Sequence, residues 1–124
     1  MANTTSTEVQ RYADLAVEQA HELHAAMRYG VGPDAAEDYG LELRADWVDL
    51  LEAMALEIYG TQYTNRDGLV AVTVVTGTGG PHVEFTIDEA GRVVGKAYWG
   101  SDSAKSTDYL PDLFGALAEF VEVS

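Results

Sequence analysis

Cysteine is absent from the 124 residues. Disulfides, thiol catalysis, iron–sulfur clusters and cysteine-ligated zinc are excluded with it. Lysine is nearly absent too, with Lys96 and Lys105 the only two. Seven basic side chains face 21 acidic ones, giving a formal net charge of −14. Phosphate backbones repel such a field, and a nucleic-acid binder normally presents a basic patch, so direct nucleic-acid binding is not expected. Anionic membrane surfaces are disfavoured for the same reason. No apolar run approaches the ~20 residues a transmembrane helix requires. The segment Met1–Gln10 is polar and carries no apolar stretch, so no signal peptide is expected and a cytoplasmic setting is compatible.

What remains is the composition of a folded domain. Hydrophobic residues make up 47% and aromatics 10%, which acidic disordered tails lack. A chain of this length buries roughly two thirds of its unfolded surface, enough for one core without staples. Residues 1–124 are therefore read as a single acidic domain. The charge is uneven, since residues 1–60 hold twelve of the acids and three of the bases. A cationic partner would be attracted and steered towards this field. Abundant Ala, Val, Gly and Asp beside scarce Lys and Ile give a competing account, in which the acidity reflects a GC-rich or high-salt habitat.

Apolar periodicity sets out the elements. Val9, Tyr12, Ala16, Leu23 and Met27, with Ala13 and Ala20, recur at helical spacing and predict a helix over roughly 6–29. Thr5 followed by Glu8 marks its start and Gly30 its stop. Val31-Gly32-Pro33 breaks the chain, Asp34 with Glu37 reads as an N-cap, and a short turn is expected at 35–38. Leu43, Trp47, Leu50, Leu51, Met54 and Ile58 predict a second helix over about 41–59, ended by Gly60. Thr61–Gly68 reads as a polar loop. The β-branched run 69–76, the alternating 82–87 and the segment 92–99 read as strands of a meander. Gly77-Thr78-Gly79-Gly80-Pro81 and Asp88-Glu89-Ala90-Gly91 serve as its turns. Residues 100–107 form a loop, or a short edge strand lies at 105–109. Leu110, Leu113, Phe114, Leu117, Phe120 and Val121 predict a helix over about 110–122, with Pro111 in its first turn. The fold class is α+β, with two N-terminal helices, a three- to four-stranded antiparallel meander and a C-terminal helix.

Motifs for chemistry are weak. The Gly77–Gly80 loop lacks the lysine and the following helix of a phosphate loop, so it is read as a hairpin turn. His21-Glu22-Leu23-His24 spaces its histidines at i and i+3, whereas zincins use i and i+4 with a third ligand. Glu18-x-x-His21 has no second copy for a di-iron site. Both are read as an exposed polar helix face. His82, near Glu84 or Asp102, could act as a base, but no nucleophile accompanies it. Metal, cofactor and catalytic residues are accordingly none, and no enzymatic activity is expected.

Two features point to binding. Asp14, Glu18 and Glu22 recur every four residues on the first helix. Asp38, Glu42, Asp46 and Asp49 nearly do so on the second, provided it begins early enough. Neighbours at that spacing lie ~5–6 Å apart, comparable with phosphates along one nucleic-acid strand. Tyr98 and Trp99 are adjacent on a strand and so point to opposite faces. Core packing is the expectation for both, but an exposed one would offer a protein-binding anchor.

In size, acidity and lack of catalytic residues, the chain resembles the small inhibitors carried by phages and plasmids, among them anti-CRISPR and antirestriction proteins, several of which mimic nucleic acid. It is similar in type to acidic immunity proteins that neutralise basic nucleases. The resemblance spans the whole chain as composition and architecture and carries over no site residue. It implies a non-enzymatic inhibitor or adaptor of a basic nucleic-acid-handling protein, a nuclease or CRISPR effector. Asp14, Glu18, Glu22, Glu42, Asp46 and Asp49 would supply attraction and Tyr98 or Trp99 an anchor. The alternatives are an oligomeric structural domain, pairing as a homodimer through a sheet edge, and a small-molecule binding domain using His82, Tyr98 or Asp102.

Overall fold

The computed structural model describes residues 4–61, 69–77 and 80–123. Its elements are α1 (Thr4–Tyr29), α2 (Pro33–Tyr39), α3 (Trp47–Met54), β1 (Glu57–Thr61), β2 (Ala71–Gly77), β3 (His82–Asp88), β4 (Arg92–Trp99), β5 (Asp102–Tyr109) and α4 (Leu113–Val123). The five strands form one antiparallel sheet in sequential order. The α+β class and the helix–meander–helix order match the expectation, but the sheet has five strands rather than three or four. None of the helices among the described residues is long and apolar enough to cross a membrane.

Alternation along the strands decides which face is covered. Val72, Val74, Val83, Phe85, Ile87 and Val93 form one core with Leu23 of α1, Leu50 and Leu51 of α3, and Leu113 and Leu117 of α4. Phe85 and Ile87 are fully buried. Each such side chain contributes about 1.5–3 kcal/mol relative to exposure. Helix α1 lies over β3, β4 and β5, while α4 lies over β1 and β2. The crossing of α1 over β4 is very close. A Cβ added at Gly95 would sit 2.5 Å from the carbonyl oxygen of Ala13 and 3.1 Å from the Ala16 methyl. Small residues on both elements permit the approach, and buried Ala13, Ala16 and Ala20 form the contact stripe.

The other face carries the alternate residues. One row in register across all five strands reads Glu57, Val75, Glu84, Lys96 and Lys105. Thr73 and Thr86, opposite each other in the next row, share a hydroxyl hydrogen bond of 2.8 Å. The β3–β4 turn is the expected one. Asp88 Oδ1 accepts from the amides of Ala90 and Arg92, and Gly91 takes φ +92°, a region L side chains rarely adopt.

The turn expected at 35–38 is the helix α2, and the second predicted helix, 41–59, is divided among an irregular connection, α3 and the start of β1. Pro33 starts the short α2, with Gly32 rather than Asp34 as its N-cap. Residues 40–46 form an irregular connection pinned to the end of α1 by the Val31–Ala45 and Arg44–Val31 backbone hydrogen bonds. Asp46 caps α3, which stops at Met54 because Ala55 turns to an extended conformation. The segment beyond it pairs as β1 with β2. The segment expected as a loop or a short edge strand is instead the eight-residue strand β5. Helix α1 begins at Thr4 and stops before Gly30, near the predicted bounds. The C-terminal helix starts at Leu113 rather than 110. Loop residues 62–68, and Thr78 and Gly79 of the expected turn, lie outside the described residues.

Candidate functional site

Helix α1 has two flanks besides its buried stripe. One is tied to the β5 edge. Gln10 Nε2 donates to the Lys105 carbonyl at 3.0 Å. His21 Nε2 lies 2.6 Å from Asp108 Oδ2, and His24 Nε2 lies 3.1 Å from the Pro111 carbonyl oxygen. The His21 contact, with the Tyr109 amide, holds the Asp108 carboxyl below the usual carboxylate range. These histidines are structural ties, so the polar face expected here is partly engaged. Among the described residues, no group of three or more His, Asp or Glu is placed to hold a metal.

The other flank meets α2. Gln19 is buried and joins three elements, donating to the Tyr39 hydroxyl at 3.1 Å and accepting from Thr76 Oγ1 at 2.7 Å. Thr76 reaches it because it follows Val72 and Val74 on the helix-facing side of β2, next to a register shift between Val75 and Gly77. This tie joins Tyr39, at the end of α2, to α1, and the α2 acids Asp34 and Asp38 act on Glu22. Glu22 is half-buried there, and its Oε2 has no hydrogen-bond partner. Burial raises its carboxyl pKa above the ordinary 4.5, with further upward pressure from Asp38, Glu18 and Asp34. Burial likewise raises the Tyr39 phenol, and Glu22 and Asp38 add to it against the Gln19 hydrogen bond. Among the described residues the ion pairs are His21–Asp108 and His82–Glu84, and neither uses Lys or Arg. The carboxylates around Glu22 thus stand without a paired cation.

Of the residues singled out in the sequence, Glu18 and Glu22 join this cluster, and exposed Asp14 extends the row along α1. The second row is not a helical ladder. Asp38 is on α2, Glu42 lies in the connection, Asp46 is the N-cap of α3 with Oδ1 accepting from the Val48 amide at 3.0 Å, and Asp49 occupies the first turn of α3. Glu42, Asp46 and Asp49 are all exposed. Asp34 was missed as a site residue; its position became informative only once α2 folded back along α1.

Tyr98 and Trp99 are 42% and 46% exposed, so the core packing expected of both does not occur. They are the last two residues of β4. They do point to opposite faces. Tyr98 stands next to His82 on the open face, ring centroids 5.7 Å apart, and His82 contacts Glu84 at 2.9 Å. Trp99 is on the helix side, in a depression with Glu8, Val9, Tyr12 and Pro81.

No protein-family model matches this chain, and neither the curated proteins nor the solved structures contain a match to it.

Proposed function

We propose that the chain is a non-enzymatic inhibitor or adaptor that binds a basic, nucleic-acid-handling protein through the carboxylate face of α1 and α2. One observation carries this reading: Glu18, Asp34 and Asp38 are gathered around the half-buried Glu22 carboxylate, and among the described residues no Lys or Arg is paired to them. Like charges at such spacing cost a few tenths of a kcal/mol each in an isolated helix. A Lys- or Arg-rich surface would remove that cost on docking. Asp14 lengthens the face, and Glu42, Asp46 and Asp49 add long-range attraction. A field of this kind raises the association rate and fixes orientation, while packed anchors supply most of the affinity.

The test is equilibrium binding to purified basic nucleases and CRISPR effector complexes across a salt series, from about 50 mM to about 500 mM, where the screening length shrinks severalfold. A Kd that weakens at least tenfold over the series is expected. Combined Glu18→Lys, Asp34→Lys and Asp38→Lys should abolish binding, whereas Glu119→Lys, an exposed acid on α4, should leave it intact. Salt-insensitive binding, or equal loss in both variants, would overturn the electrostatic reading. Failure to bind any member of the panel would remove nucleic-acid-handling proteins as the target class.

A further inference from the structure

The cluster has an apolar continuation on the same flank of α1. Tyr12 and Leu15 are 36% and 38% exposed. They face Pro81 of the β2–β3 connection across a depression of ≈ 260 Å³ that also reaches Gln19. Tyr12 and Pro81 also line the smaller depression under Trp99, of ≈ 90 Å³, so the two lie side by side. The Trp99 ring stands over the same turn, 3.6 Å from where a Cβ on Gly80 would be. Each depression alone is smaller than the ~300–1,000 Å³ of an ordinary small-molecule pocket. They are suited to a row of separate side chains. Glu8 lines one end, and Glu22 lies three residues past Gln19, which lines the other; the two carboxylates are about 21 Å apart at the rise of an α-helix.

We infer that this surface, walled by Tyr12, Leu15, Pro81 and Trp99, lined by Glu8 and leading to Glu22 and its acidic neighbours, seats a cationic polypeptide segment that carries apolar side chains between its lysines or arginines. The occupant is argued from charge complementarity. Glu8 in the lining and the Glu22 cluster past Gln19 call for cations on the guest, and the aromatic and aliphatic walls between them call for Leu-like or aromatic side chains. A second copy of this chain, at −14 formal charge, brings the wrong sign. The inference rests on the basic-partner reading and adds where the uncharged part of the contact lies.

The experiment uses the full chain with Trp47→Phe, which leaves Trp99 as the sole tryptophan reporter. The probes are two 14-residue synthetic peptides of equal positive charge, one of Lys, Ala and Leu with Leu at helical spacing, the other with every Leu replaced by Ser. The expected result is at least tenfold tighter binding of the Leu peptide, with a blue shift of Trp99 emission that the Ser peptide does not produce. Leu15→Asp adds a negative charge, yet should reduce binding of the Leu peptide without weakening the Ser peptide. Equal binding of both with unchanged Trp99 emission would overturn the groove and leave the acidic-face reading standing. No binding of either peptide would remove both. A Trp99 shift that grows with protein concentration alone, with a dimer in sedimentation, would overturn the cationic occupant in favour of a second copy.

Discussion

Glu22 illustrates how one residue can oppose the fold it belongs to. Its carboxyl pKa is raised first by burial and then by Asp38, Glu18 and Asp34. The folded state therefore holds that proton more tightly than the unfolded chain does. Above the folded pKa, ionised Glu22 lowers stability. The penalty fades as pH falls through that value and is gone below the ordinary 4.5. Glu22→Gln should accordingly raise the melting temperature at neutral pH, and thermal melts well below pH 4.5 should show the two proteins converging. Solvent screening at a half-exposed site limits the gain to about 1 kcal/mol or less. A loss of stability at neutral pH would mean that Glu22 has a compensating partner.

Among the elements, the contact of α1 with β4 depends on size. Gly95→Ala places a methyl against the Ala13 carbonyl and the Val17 side chain. The helix must lift, and overpacking of this kind costs about 1–3 kcal/mol, measurable by urea unfolding. Unchanged stability would show that α1 rides more loosely than its alanine stripe implies. Much of this layer was legible in the sequence. The 3.6-residue spacing of Val9, Ala13, Ala16, Ala20 and Leu23 located α1, and the alternation of Val83, Phe85 and Ile87 fixed the inward face of β3. The second helix was not legible, because its apolar spacing continued across a chain break. Leu43 is 60% exposed in the connection and Ile58 belongs to β1. The pairing of Glu57–Thr61 with Ala71–Val75 is a tertiary event that no local pattern records. The site divides the same way. Asp14, Glu18 and Glu22 share one helix and could be read from spacing, whereas Asp34, Asp38 and the groove facing Tyr12 required the return of α2 and the β2–β3 connection. Tyr98 is exposed because its face of the sheet is the one turned away from α1, and Trp99 because it lies past Ala97, which packs on Val9 and Ala13 of α1; alternation alone specifies neither.

For the molecule as a whole, 21 acidic side chains against seven basic ones imply self-repulsion in the compact state. Added sodium chloride should screen it and raise the melting temperature. A gain of about 1–2 kcal/mol between low and moderate salt corresponds to roughly 4–8 °C for a domain near this size. Differential scanning calorimetry in a salt series checks this, and a flat response would mean that the acids are too dispersed to repel. Salt thus separates two effects of one charge distribution, strengthening the isolated fold while weakening the proposed complex.

The placement of α1 over the far end of the meander also has a temporal side. The helix emerges from the ribosome early, but β4 and β5, on which its alanine stripe rests, follow about 70 residues later. At ~5–20 residues per second that is a wait of roughly 4–15 s. Throughout it, Asp14 and Glu18 sit on the side opposite the waiting stripe. The carboxylates proposed to face a partner would thus first keep a nascent amphipathic helix in solution until its sheet arrives.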